Sequence, residues 1–150
     1  MRLRCRAVGA LARRAASLPQ YYLLANLTNG EYVHPHRVGD GAQLLELACG
    51  TRGVMTALAV LIAAGNGRGG GMRTTDPLVG SWAGHRIVLA GDYADPGLYC
   101  ADFAAAAGAS YEPFDPRPLY HFAPSVGTDL TPRLYQCFRS ANEAFGAGAA

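Results

Sequence analysis

The stretch that decides the fold is Tyr21-Tyr22-Leu23-Leu24-Ala25-Asn26-Leu27-Thr28-Asn29-Gly30-Glu31-Tyr32-Val33. Its first half, residues 21–27, is an apolar run of high β propensity. Asn29-Gly30 is the dipeptide best suited to a two-residue hairpin turn, because both central residues of that turn take positive φ. A second strand then begins at Glu31. The stretch predicts a β-hairpin, and the folded domain begins near Gln20.

Two helices are predicted after the hairpin. The first runs from a cap at Asp40 to Ala48 and has leucines along one side. The second runs from about Arg52 to Ala64 and has apolar residues at helical spacing on nearly every side. We therefore expect the second helix to be the central buried helix of the domain.

A strand and two further helices are predicted in the second half of the chain. Residues 86–90 form an apolar run between glycines, which indicates a buried strand. A capping residue followed by proline, which the first turn of a helix tolerates, occurs twice. The first occurrence predicts a helix over residues 96–107, and the second predicts a last helix over residues 131–145.

Proline is concentrated ahead of that last helix. Five of the nine prolines fall within residues 113–132, which predicts an extended segment wrapped over the domain. Tyr120 and Phe122 are its expected anchors.

The predicted order β-β-α-α-β-α-α is not the regular alternation of a doubly wound sheet. We expect an α+β fold with a small, mostly antiparallel sheet, a central buried helix and peripheral helices. The expected organisation is a basic leader over 1–19, one domain over 20–145 and a disordered tail over 146–150.

Charge is uneven along the 150 residues. All 13 basic residues are arginine, which removes enzymes that need a lysine amine, such as Walker-type nucleotidases and pyridoxal enzymes. Residues 1–20 carry five arginines and no acid, whereas the rest of the chain carries a net charge of −3. The leader is a mitochondrial-type targeting peptide, a basic arm for RNA or membrane, or an upstream extension of the reading frame, which we favour. The mildly acidic domain disfavours nucleic-acid binding.

The cysteines and the apolar runs indicate the compartment. Cys5, Cys49, Cys100 and Cys137 are widely spaced, so neither a zinc ribbon nor a thioredoxin-like site is supported, and buried thiols in a reducing compartment are expected. The longest apolar run, 54–64, is too short to span a bilayer. We expect a soluble, cytoplasmic protein without a membrane partner.

A metal site is one candidate for the chemistry of this chain. His34 and His36 flank a proline, and in a strand such residues face the same side. His85 and Asp92 complete the predicted set of ligands for a divalent transition metal, with Asp40 and Asp95 as further carboxylates. The alternative is that the two histidines simply lie in solvent.

A ligand site is the second candidate. Five glycines within residues 65–71, beside Arg68 and Arg73, could form an anion-binding loop, although the GK[ST] of a phosphate loop is missing. Trp82 is either a core anchor or a surface for stacking, and Arg86 lies close to it in sequence. No catalytic residue is assigned, since Ser81 is not in a GxSxG motif.

Several segments of the chain resemble a group of small, uncharacterised bacterial and phage-type proteins. The resemblance covers about residues 20–96 and implies no activity, so it supports only the separation of the leader from the domain. The segments that carry it are Glu31-Tyr32-Val33-His34-Pro35-His36 with Gly39-Asp40-Gly41 and Leu44-Leu45-Glu46, Gly65-Asn66-Gly67-Arg68-Gly69-Gly70-Gly71, Gly80-Ser81-Trp82-Ala83-Gly84, Arg86-Ile87-Val88 and Gly91-Asp92-Tyr93-Ala94-Asp95.

The leading hypothesis is a non-enzymatic binding or regulatory domain whose partner is a protein or a small anionic ligand. Its first alternative is a metal-dependent hydrolase that uses the His/Asp set, with Asp40 or Asp95 as general base. Its second alternative is a structural or virion-associated subunit that forms a homo-oligomer.

Overall fold

The structure is a computed structural model that describes residues 20–38, 42–48, 53–64 and 76–147, with side chains as far as residue 139. The strands are β1 (Tyr22–Asn26), β2 (Glu31–Val33), β3 (Ile87–Gly91) and β4 (Thr128–Asp129). The helices are α1 (Val54–Ile62), α2 (Cys100–Ala106), α3 (Leu119–Val126) and α4 (Thr131–Ala147), with short 3₁₀ helices at Pro35–Arg37 and Glu46–Ala48.

The predicted hairpin is confirmed, with a longer turn than expected. Asn26 pairs with Glu31, so four residues connect β1 to β2. The buried Asn26 side chain explains the difference, because its Oδ1 accepts hydrogen bonds from the backbone N–H of Thr28 (2.9 Å) and of Asn29 (3.3 Å). Only Gly30, with φ +65°, takes the left-handed conformation in this turn.

The four strands form one mixed sheet in the order β3-β1-β2-β4. β1 lies at its centre and pairs antiparallel with both β2 and β3, whereas β4 pairs parallel with β2. The predicted α+β fold with a small, mostly antiparallel sheet is therefore confirmed. The sequence did not indicate β4, which has only two residues.

Helices cover both faces of the sheet, because the strand side chains alternate between two apolar clusters. One cluster contains Leu24 of β1, Trp82 and buried residues of α1 and α4. The other contains Leu23 and Ala25 of β1 with buried residues of α2 and α3. The sheet thus forms the middle layer between two pairs of helices.

The predicted helix over 52–64 is present as α1, but it is not buried all round. Val54, Ala57 and Leu61 face the core at helical spacing, while Met55 and Ile62 are 43% and 42% exposed. In the described part of the chain, no helix is long and apolar enough to cross a bilayer.

The proline-rich segment is helical where an extended chain was predicted. Leu119, Phe122 and Ala123 are spaced i, i+3 and i+4, and burying them in the core selects α3. Pro118 occupies the N-cap with φ −67°, which a proline adopts without cost, and Pro124 lies inside the helix. Core packing therefore outweighs the local proline signal.

The remaining predicted helices are present with shifted bounds. The helix predicted over 96–107 begins at Cys100, because Tyr99 has a left-handed φ of +65°. Of the helix predicted from Asp40, the described residues contain the 3₁₀ helix Glu46–Ala48, and Asp40 itself lies outside them. The last predicted helix is confirmed as α4.

Two glycine substitutions test how tightly the hairpin turn packs. A Cβ at Gly30 would lie 2.5 Å from the Cα and 2.6 Å from the Cβ of Ala107, whereas a Cβ at Gly84 meets no atom within 4 Å. Both glycines have positive φ, so Gly84→Ala costs about 1–2 kcal/mol from backbone strain alone. We expect Gly30→Ala to cost about 3 kcal/mol or more in urea unfolding. Equal costs for the two variants would contradict this packing.

Candidate functional site

The predicted histidine pair lies on a turn and not on a strand. β2 ends at Val33, and Pro35–Arg37 form a 3₁₀ helix in which the backbone N–H of Arg37 donates to the carbonyl of His34 at 3.0 Å. The turn nevertheless brings the rings of His34 and His36 to 5.7 Å between centroids. The structure therefore places these two residues together.

Two tyrosines complete a cluster that we call the histidine–tyrosine corner, formed by Tyr21, His34, His36 and Tyr120. The Tyr21 ring lies 5.8 Å from that of His36, and the Tyr120 ring lies 6.4 Å from that of His34. The corner thus collects side chains from the start of β1, the end of β2 and the first turn of α3.

His34 has an unusual environment in this corner. Its Nδ1 is buried and has no hydrogen-bond partner among the described residues, which costs about 1–3 kcal/mol for a polar group. Burial lowers the pKa of His34, the charges of His36 and Arg37 lower it further, and Asp129 acts in the opposite direction. The lowered pKa favours the neutral imidazole at pH 7. Its backbone N–H donates to the Oγ1 of Thr131 at 2.9 Å.

The predicted metal ligands are not assembled into one site. His85 Nδ1 lies 3.0 Å from Nδ2 of Asn26, whereas Asp92 Oδ1 accepts a hydrogen bond from the backbone N–H of Tyr21 at 3.0 Å. These two partners stand at opposite ends of β1, about 17 Å apart at the rise of an extended strand. One ion with ligand bonds near 2 Å cannot reach both. Among the described residues, no group of three or more His, Cys, Asp or Glu side chains could hold a metal ion.

The predicted ligand-binding residues are scattered. Trp82 is fully buried and its Nε1–H donates to Oε2 of Glu31 at 2.7 Å, which favours the core-anchor alternative over a stacking surface. Arg86 forms an exposed ion pair with Asp102 of α2 at 2.9 Å. The other predicted ligand-binding residues, Arg68 and Arg73, lie outside the described residues, as does Asp40.

A groove that was not predicted lies beside the corner. Its volume is about 470 Å³ and it is open to solvent. We call it the arginine groove, and it is lined by Arg37, Thr131, Pro132, Tyr135, Gln136 and Arg139.

The parallel pairing of β2 with β4 builds the groove. Tyr32 pairs with Asp129, and the backbone N–H of Leu130 donates to the carbonyl of Tyr32 at 2.9 Å. α4 therefore begins next to the 3₁₀ helix that carries Arg37. Two segments separated by more than 90 residues in sequence meet at this point.

Asp129 holds Arg37 and the start of α4 in place at the groove. Its Oδ2 accepts a hydrogen bond from Nη1 of Arg37 at 2.8 Å, and its Oδ1 accepts one from the backbone N–H of Thr131 at 2.9 Å. The Arg37 side chain is 65% exposed although it is paired. A guanidinium has five N–H donors, so this geometry leaves room for a further acceptor.

Part of the groove could have been found from the sequence. Pro132, Tyr135, Gln136 and Arg139 follow an i, i+3, i+4, i+7 pattern, which places them on one face of the predicted last helix. No comparable signal linked Arg37 to that face.

The two described cysteines behave as structural residues. Cys100 and Cys137 are free and buried. Burial raises the pKa of both thiols, which favours the protonated form and makes both poor nucleophiles at neutral pH.

Comparison of the sequence with protein-family models and with curated proteins gives no match, and neither does comparison of the structure with solved structures. The resemblance to bacterial and phage-type proteins stays a prediction.

The neutral His34 predicts a loss of stability in acid. Because its pKa in the folded chain lies below the ordinary value of 6.5, the unfolded chain takes up the proton first as the pH falls. The contribution of His34 is complete above pH 6.5 and is lost progressively below it. When the pH is lowered from about 7.5 to about 5.5, we expect the urea concentration at half unfolding to decrease. The decrease should be smaller in His34→Gln.

The control for this experiment is His121→Gln, which removes an exposed imidazole from α3. It is the reference for the loss of a surface histidine. A His34→Gln variant with the same pH dependence as the control would contradict the burial of a neutral His34.

Proposed function

We propose that this protein is a non-enzymatic binding domain that takes a small anionic ligand in the arginine groove. The observation that carries the proposal is that Arg37 and Arg139, from distant parts of the chain, line the same groove.

The chemistry of the groove suits a phosphate or carboxylate group. Guanidinium groups bind such anions through paired, charge-assisted hydrogen bonds, and in a chain without lysine only arginine supplies a side-chain cation of this strength. The groove also lies at the first turns of α4, where the positive end of the helix dipole favours negative charge.

The other lining residues indicate what the anion is attached to. Tyr135 is 56% exposed and offers a ring face, while Gln136 offers an amide donor and acceptor. A volume of about 470 Å³ is within the range of small-molecule sites. The ligand that fits best is a small molecule with an anionic group and a planar ring.

Asp129 already holds Arg37 and therefore acts as an internal competitor. Any ligand must share the guanidinium with this carboxylate or displace it. We therefore expect moderate affinity, and selection for ligands whose anion can contact both arginines.

The metal-dependent hydrolase is less well supported than the binding domain. His34 and His36 lie together, but among the described residues no three His, Cys, Asp or Glu side chains could hold one ion. Two imidazoles alone do not make the three-ligand set of a typical catalytic zinc site.

The proposal is tested by titrating the ¹⁵N-labelled full-length chain with phenyl phosphate and with benzoate. We expect saturable chemical-shift changes centred on Arg37, Tyr135 and Arg139, with dissociation constants in about the millimolar range for such small probes. Removing one charge-assisted contact, as in Arg37→Gln or Arg139→Gln, should weaken binding about tenfold.

Two further variants make the test specific. Asp129→Asn keeps an Oδ1 that can accept the hydrogen bond from the Thr131 N–H but removes the competing charge, so it should strengthen binding. Arg117→Gln removes an arginine that is ion-paired in the same way, to Asp115 at 2.6 Å, but lies outside the groove lining, so it should leave the dissociation constant unchanged. The absence of saturable changes, or equal effects of Arg37→Gln and Arg117→Gln, would overturn the proposal.

A further inference from the structure

The two edges of the sheet differ in how well they are protected. β4 has only two residues, one of them the charged Asp129, and the chain then enters α4. Short edge strands and charged residues discourage pairing with another chain. β3 is five residues long and reads Ile-Val-Leu-Ala-Gly, without a charge or a proline. Its pairing with β1 runs residue for residue, so it has no bulge either.

The backbone hydrogen bonds show which groups of β3 point away from the sheet. The carbonyl of Arg86 and the N–H of Asp92 both bond to the β1 side. In an antiparallel ladder every second residue turns to the same side, so Ile87, Leu89 and Gly91 turn outward. Among the described residues β3 pairs with β1 alone. The outward carbonyl of Gly91 accepts a hydrogen bond from the backbone N–H of Ala94 at 3.2 Å, and Gly91 is buried. The outward N–H and C=O groups of Ile87 and Leu89 therefore form the open template for another strand.

We propose that β3 pairs with β3 of a second copy of this chain, antiparallel about a two-fold axis that passes between the two Leu89 residues. The two Leu89 residues would exchange a pair of backbone hydrogen bonds. The two four-stranded sheets would then form one continuous sheet of eight strands.

The side chains fit this register. Leu89 is 38% exposed at the edge and would cover its counterpart across the axis. The register places Arg86 of each copy opposite Asp92 of the other, on the face of the sheet opposite to Leu89. Oδ1 of Asp92 accepts a hydrogen bond from the backbone N–H of Tyr21, so the arginine would bind through Oδ2. The present pairing of Arg86 with Asp102 is between half-exposed groups and is weak, so it does not prevent the new contact.

The charge pattern of this edge favours a second copy of the chain as the partner of β3. The edge carries a positive residue at one end and a negative residue at the other, which is complementary to itself when the strand is reversed. The basic leader, with five arginines and no acid, matches only one of the two ends.

The first test is the mass of the full-length chain in solution. Sedimentation of the native 15.8 kDa chain at concentrations up to about 1 mM should show a dimer of twice that mass. The amides of Ile87 and Leu89 should gain protection from hydrogen exchange as the concentration rises. A monomer at every concentration overturns the proposal, and so does protection of these amides that does not depend on concentration, since a segment of the same chain would then cover the edge.

Leu89→Lys tests the contact at the axis. It places two like charges opposite each other and should weaken the dimer at least tenfold. Met55→Lys is the matched control, because Met55 has a similar exposure of 43% but lies on α1. The fluorescence of the buried Trp82 reports that both variants are folded. A dimer that persists in folded Leu89→Lys, or that is lost equally in Met55→Lys, overturns the proposal.

A mixing experiment tests the register. Arg86→Glu alone places two acids together at each end, and Asp92→Arg alone places two arginines together, so each variant should be monomeric. Mixed in equal amounts, they should form a heterodimer, because every facing pair is then of opposite sign. A mixture that stays monomeric, or single variants that dimerise as well as the native chain, would overturn the proposed register.

Discussion

Burial of β1 on both faces is the constraint on which the rest of this structure depends. Leu23, Leu24 and Ala25 are each at most 1% exposed, and successive residues of a strand point to opposite sides. A strand of this kind needs apolar cover above and below, and the four helices divide accordingly into two pairs. Asn26, its buried polar residue, is accommodated because its amide bonds to the hairpin turn and to His85.

The proposed site follows from this layered arrangement. β2 occupies one side of β1 and offers its other edge to β4, so the chain that follows β4 must begin α4 beside the end of β2. The histidine–tyrosine corner and the arginine groove both lie at that junction, and Thr131 joins them through its hydrogen bond to His34 and its place in the groove lining. The sheet edge with β3 lies on the far side of β1, so the two proposed surfaces are separate.

The sequence was most informative where the signal is local. The hairpin, the strand at 86–90 and the last helix depend on neighbouring residues, and the structure contains all three. It was least informative where distant segments meet. Proline spacing could not show that residues 119–126 would form a helix, because this helix depends on the burial of Phe122 in the core. Residue type predicted that His85 and Asp92 bind one metal ion, but only the strand pairing shows that they lie at opposite ends of β1.

The parallel pair of β2 and β4 also sets an order of events during folding. The β1–β2 hairpin closes a turn of four residues and can form within microseconds. In contrast, more than 90 residues separate β2 from β4 in the sequence. Contacts of such high sequence separation form slowly. A nascent or truncated chain that ends before Thr128 lacks five of the six residues that line the arginine groove, so it cannot form the site of the proposed ligand.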